Sequence, residues 1–299
     1  MTTATAPAHQ APRTNLDGIH LSFVRLVRSE WIKLRTIRST MWCFGILFLL
    51  NIGFPLLIAS VGSFGGTQNP NQTGDAAGQI ALMVITLGVN FTQLVVGVLG
   101  VLIVSGEYAT GMIRGTFTAD PRRLGALFAK ALVLAVSTFV VSAASTWIAA
   151  LAVHPILDGK GVSFDLADPK LFLPILGSSV YVTLVALLAF GIGALVRASA
   201  GGIAITLGLL LVAPLILQIL TQLLSGATWP GDLNAFLPSS AGAELFSYHA
   251  STTPASGVQA GQAASDVVKL NGWEGFGVFG AEVLAVGIAA FALVKRRDA

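Results

Sequence analysis

The sequence predicts an all-α membrane protein: six transmembrane helices behind an N-terminal amphipathic interfacial helix. Three observations carry that expectation. The 299 residues are 54% hydrophobic and only 10% charged, with mean hydropathy +0.79. Soluble domains carry about 25% charged residues, so this chain lacks the charge to cover a water-facing surface. Six apolar stretches are long enough to cross roughly 30 Å of hydrocarbon, which takes about 20 residues each. The basic residues also gather strongly on one side of the implied topology.

In chain order, residues 1–18 form a polar tail rich in Ala, Thr and Pro, expected to be disordered and without the features of a cleavable signal peptide. Residues 19–39 form the amphipathic helix. On a helical wheel, Phe23, Val24, Leu26, Val27, Trp31, Leu34 and Ile37 share one face. Arg25, Arg28, Lys33 and Arg35 share the other, while Glu30, Ile32 and Arg38 break the pattern. A basic amphipathic helix with a Trp anchor should lie in the membrane interface and bend into the first span near Arg38–Thr40. The plainer reading is a positive flank that only sets topology.

The expected spans are 40–60, 80–104, 126–152, 173–195, 200–222 and 277–294. Pro155 and Pro169 flank the loop between the third and fourth, where prolines suit helix ends. The segment 223–276 is long for a connection and mixes polar tracts with Trp229, Phe236, Phe246, Tyr248 and Trp273, which suit an interface. Short helices dipping toward the membrane fit it. Residues 295–299 close the chain as a basic tail. With both termini on one side, 14 of the 17 Lys and Arg residues fall there and only Lys160, Lys170 and Lys269 opposite. The positive-inside rule therefore makes both termini cytoplasmic.

Enzyme chemistry finds little footing. There is no GxxxxGK[ST] phosphate loop and no HExxH pair, and the four histidines are scattered. His154, beside Pro155, reads as an ordinary loop residue. The single cysteine, Cys43, lies in an apolar run and excludes an internal disulfide. Charges inside the spans are equally scarce. Glu282 qualifies, toward the outer end of the last span, while Lys130 is close enough to a span end to snorkel. Asn51, Asn90, Gln93, Gln218 and Gln222 either line a substrate path or hydrogen-bond between helices. A transporter with so few coupling charges should draw its energy from elsewhere.

The most patterned polar segment is 105–125, SGEYATGMIRGTFTADPRRLG. Ser105 suits the cap of a short helix with Glu107 in its first turn. Tyr108, Met112 and Ile113 offer an apolar edge, and Gly111 and Gly115 permit close approach. Asp120 and Pro121 read as the start of the next helix, and Arg122 and Arg123 as a membrane boundary. A simple capped turn explains Asp120–Arg123 but leaves 107–117 without a purpose.

Two stretches resemble the ABC-2-type permeases, the membrane subunits of bacterial ATP-binding-cassette exporters. SEWIKLRTIRST (Ser29–Thr40) resembles their connecting helix, and GEYATGMIRGTFTADPRR (Gly106–Arg123) is similar to their cytoplasmic coupling segment between spans two and three. The resemblance implies that Glu107, Tyr108, Gly111, Ile113 and Arg114 form a coupling helix docked on the ATPase. Glu30, Trp31, Lys33, Leu34 and Arg35 would sit in the connecting helix close by. It further implies a separate ATPase subunit in two copies that holds ATP and Mg, with no cofactor on this chain. A second permease subunit, identical or not, would complete the transporter in the bacterial cytoplasmic membrane, surrounded by lipid and without nucleic acid. Substrates in this family are drugs, peptides, lipids or glycans. Two other readings stay open: a non-transport scaffold or sensor partner, and an ion-coupled carrier that depends on Glu282.

Overall fold

The computed structural model describes residues 22–64, 74–111, 124–224, 227–248 and 268–296. The described residues form helices and no β-strand, and six helical segments are long and apolar enough to cross a membrane. Helix α1 (Phe23–Thr36) precedes them. The spans are α2 (Arg38–Val61); α3 (Asp75–Thr86) with α4 (Val89–Thr110); α5 (Leu124–Asp158); α6 (Pro169–Val196); α7 (Ser199–Leu207) with α8 (Ala213–Leu223); and α11 (Gly272–Arg296). Between the last two spans lie α9 (Trp229–Ala235), α10 (Pro238–Ala243) and a 3₁₀ turn, Glu244–Phe246.

Several boundaries depart from hydropathy for identifiable reasons. The bend after α1 falls at Ile37, whose backbone is extended (φ −78°, ψ 117°), one residue before the expected position. The second span starts earlier, and its helix breaks at Leu87–Gly88. There the backbone of α2 presses in: a Cβ on Gly88 would lie 2.7 Å from the Leu50 carbonyl oxygen. Pro155 does not end the third span; it sits inside α5, which runs one turn further to Asp158. Proline removes one helical donor without stopping the chain when the following turn is held. Here His154, which is helical rather than a loop residue, contacts the Phe164 carbonyl through Nε2 at 3.2 Å. Pro169 does start α6, with Asp168 capping it by accepting from the Lys170 backbone N–H. The fifth span contains a π turn, Gly208–Val212, followed by Pro214. The wider turn relaxes the ladder just where proline supplies no donor.

Helix α6 is the axis of the bundle, with 67% of its most apolar window buried. It packs on α4, α5, α7 and α11. Small residues let these helices approach: a Cβ on Gly100 would lie 2.5 Å from the Ala186 carbonyl oxygen, and one on Gly193 3.0 Å from Val101 Cα. Leu47, Val96, Leu99, Leu134, Tyr181, Leu188 and Phe279 fill one apolar core. A second, with Ala81, Ile85, Val153, Leu157 and Ile175, lies where α3, α5 and α6 meet. The fifth and sixth spans are only 17% and 11% buried. Their outward side chains, such as Leu211, Leu215, Ile219 and Leu284, are therefore available to lipid or to another protein.

The stretch from α10 to the 3₁₀ turn is wedged between α6 and α11 rather than lying over them, while α9 packs on α8. Ala241 is fully buried, a Cβ on Gly242 would lie 2.4 Å from the Tyr181 ring, and one on Gly177 2.0 Å from the Leu245 carbonyl oxygen. The hydroxyl of Tyr248 donates to Asp75 Oδ1 at 3.0 Å, and Lys170 Nζ donates to the same oxygen at 2.7 Å. Burial, the Asp75 hydrogen bond and nearby carboxylate charge push the Tyr248 phenol up to about 12.

Candidate site: a buried four-charge cluster at one end of the bundle

Glu30 is the residue that breaks the apolar stripe of α1, and its position explains why. That face packs on α5, with Leu34 in contact with the core and the Phe23 ring 6.1 Å from that of Phe128. Glu30 sits in the middle of it at 5% exposure. A carboxylate buried among apolar residues costs several kcal/mol unless it is paired. It is paired on both sides: Lys33 Nζ donates to its Oε1 at 2.8 Å and Lys130 Nζ to its Oε2 at 2.5 Å.

The same two ammonium groups reach Glu107 near the end of α4. Lys130 Nζ is 2.8 Å and Lys33 Nζ 3.2 Å from Glu107 Oε1. Lys130 does not snorkel, because the two carboxylates give its charge better partners inside than the interface would; it is 7% exposed. Two acids and two bases thus join α1, α4 and α5 in one neutral cluster. Burial pulls the Lys33 ammonium down, but the Glu30 hydrogen bond and charge, followed by those of Glu107, hold it above its ordinary value.

On its far side α4 is held by the α6–α7 junction. Arg197 adopts left-handed backbone (φ 58°), and its guanidinium lies 5.0 Å from the centre of the Tyr108 ring. That φ is uncommon for a residue with a Cβ, and the cation–π contact is one interaction that repays it. Ser199 Oγ donates to Ser105 Oγ at 2.9 Å. Ser105 caps no new helix: it is fully buried, donates to the Val101 carbonyl and continues the second span. The helix ends instead at Gly111, whose positive φ of 72° closes α4. Gly111 thus serves the left-handed helix end, since no described residue lies close to where its side chain would be. Met112, Ile113, Arg114 and Gly115 fall outside the described residues, as do Phe117 and Asp120–Arg123.

Of the connecting-helix candidates, Glu30 and Lys33 join the cluster and Leu34 packs on the core, whereas Trp31 and Arg35 point outward. The polar residues of the spans divide. Asn51 is buried, donates to Ser145 Oγ at 3.0 Å and accepts from Thr92 Oγ1 at 3.3 Å, tying α2, α4 and α5. Gln93 accepts from the buried Tyr181 hydroxyl. Asn90 is exposed, and its side chain turns back to the Leu87 carbonyl. Gln218 and Gln222 line a cleft at the opposite end of the bundle. Glu282 lies at the middle of the last span, between Gly272 and Leu293, rather than toward one end. Its Oε2 is buried without a hydrogen-bond partner among the described residues.

A family model described as ABC-2 family transporter protein matches residues 26–224, a range that holds all four charges of the cluster. No curated protein matches the chain.

Proposed function

The chain belongs to the ABC-2 family of transporter proteins, and from that premise we propose that it is the permease subunit of a bacterial ATP-binding-cassette exporter. The ATPase is a separate polypeptide, which holds ATP and Mg. It meets the permease at the segment after Gly111, which carries Ile113 and Arg114, while Tyr108 backs that segment from inside the bundle, packed on the core and against Arg197. The basic end of the bundle faces the cytoplasm, both termini with it, as the positive-inside distribution favours. Two permease chains, identical or not, enclose the substrate path, and two ATPase copies drive it.

The observation that carries this reading is the buried cluster of Glu30, Lys33, Glu107 and Lys130. It fastens the end of α4 to the connecting helix and to the third span. A push on residues 112–123 would therefore move three elements together instead of bending one. Paired charges suit such a joint because they are directional and tolerate little drift, whereas an apolar contact can slide. Asn51 and Gln93, two of the larger polar side chains inside the spans, are bonded to other helices, which fits a bundle driven mechanically from one end.

The test is affinity purification of the tagged permease from its native membrane. The reading predicts a soluble partner with a phosphate-loop sequence whose ATP hydrolysis rises in the complex. Absence of any such partner would return the chain to the scaffold or sensor reading. One observation favours a second transport reading: Glu282 at mid-span is where an ion-coupled carrier would hold its ion. Transport driven by an ion gradient and lost in Glu282→Gln would support that mechanism instead.

A further inference from the structure

Two cavities lie side by side at the end of the bundle opposite the four-charge cluster. The first, about 640 Å³, is lined by Gln218 and Gln222 of α8, Asn234 of α9, and Ser240, Glu244 and Lys269. The second, about 600 Å³, opens between α6 and α11 and is lined mainly by Leu173, Leu176, Val180, Leu245, Trp273 and Phe276. Glu244 borders both. The strand of chain that carries Lys269 past the first cavity carries Asn271 and Gly272 past the second. A polar cleft and an apolar slot thus share one wall.

We propose that the pair is a binding site for a zwitterionic phospholipid of the adjoining leaflet. The slot runs between two spanning helices, so its mouth meets hydrocarbon and an acyl chain fills it against mostly apolar walls, where Lys170 is already held by Asp75. Trp273 stands at its rim, 83% exposed, in the position aromatic residues take at headgroup level. The cleft offers charges of both signs. No described residue pairs with Lys269, which is placed to take a phosphate, while Glu244 can receive an ammonium. The carboxamides of Gln218, Gln222 and Asn234 serve the remaining oxygens. An anionic headgroup would use the lysine but meet the glutamate as a repulsion, and a soluble zwitterion would leave the slot empty. Both sides of the wall are pinned: Ser247 Oγ donates to Glu244 Oε2 at 3.0 Å, and the Val268 N–H donates to Asp232 Oδ1 at 2.9 Å. The site does not depend on the permease reading, and the failure of either leaves the other standing.

The experiment is native mass spectrometry of the full chain released from nanodiscs of equal phosphatidylethanolamine and phosphatidylglycerol content. Retained phosphatidylethanolamine should exceed phosphatidylglycerol, and Lys269→Ala should lower its retention about ten-fold, the effect of losing one charge-assisted hydrogen bond. Leu173→Trp, at a position already 58% exposed, should block the slot and lower retention without touching the headgroup contacts. If Lys269→Ala fails to give monodisperse protein, Leu173→Trp decides alone. Equal retention of both lipids, or retention unchanged in Leu173→Trp, would mean annular lipid only and overturn the proposal. Displacement of the lipid by water-soluble glycerophosphoethanolamine at the same concentration would overturn it too, in favour of a free zwitterion.

Discussion

Replacing Lys130 by methionine separates the buried cluster from a set of surface ion pairs. Methionine keeps most of the length and apolar stem of lysine and removes only the ammonium. The side chains of Glu30, Glu107 and Lys130 are 5%, 7% and 8% exposed, whereas that of Lys33 is 38% exposed. Without Lys130, two buried carboxylates share one half-exposed ammonium, and the cluster changes from neutral to one net negative charge. Breaking a buried pair in this way costs about 3–5 kcal/mol. Lys33→Met removes the same charge from the same two partners at a wetter position, where screening and hydration reduce the loss to about 1 kcal/mol or less. Thermal unfolding of the detergent-purified variants, followed by size-exclusion fluorescence, should show a large drop for Lys130→Met and a small one for Lys33→Met. Adding Glu107→Gln to Lys130→Met restores neutrality and should recover much of the loss. Equal midpoints for the two lysine variants, or no recovery in the double variant, would refute the claim that burial gives the cluster its strength.

Four further outcomes are expected. Glu107→Ala and Arg114→Ala should each reduce transport and transport-coupled ATP hydrolysis while membrane insertion, scored by protease protection, stays normal. Asn51→Leu should lower stability by about 1 kcal/mol, the modest worth of hydrogen bonds between spanning helices, and leave substrate preference unchanged in a transport assay. Gly177→Ala puts a methyl group 2.0 Å from a backbone oxygen of the wedged segment, which cannot yield as a side chain would. It should cost about 1–3 kcal/mol and expose 229–248 to protease. The Lys33 ammonium is held above its ordinary 10.5, so the folded state binds that proton more tightly than the unfolded chain. Its contribution is therefore complete below pH 10.5 and fades as pH rises through the higher folded value. Unfolding midpoints of wild type and Lys33→Met should differ by a constant amount up to that pH and converge above it.

The lengths of the apolar runs made the six spans legible, because crossing hydrocarbon is a demand that composition alone expresses. The stripe on α1 was legible for the same reason, and Glu30 at its centre was a signal that a buried partner existed. Which partner it has is a different kind of information. Lys130 is 100 residues away, and only the packing of α1 on α5 brings the two together. Periodicity along one helix is blind to such pairs. Glu107 was singled out as part of a contact surface, but its carboxylate faces inward, because α4 continues through Ser105 and Glu107 as the end of a span. Pro155 shows the limit of local punctuation: a proline near a helix end does not stop a helix whose last turn is held by other contacts. The wedge of α10 and the 3₁₀ turn depends on glycines at 177, 242 and 275, each opposite a backbone or ring it cannot know from its own neighbours.

The central claim is that an ATPase drives this bundle through the segment that follows Gly111. The most direct measurement is cross-linking from that segment. With Cys43, the only cysteine, replaced by alanine, Ile113→Cys carries a short thiol-to-amine cross-linker in membranes that contain the whole complex. The account predicts a covalent adduct with a soluble phosphate-loop ATPase, its yield changing between ATP-bound and ATP-free conditions, and none from Ile219→Cys on the outward face of α8. An adduct equally abundant from both positions, or none from Ile113→Cys while the complex still hydrolyses ATP, would contradict it.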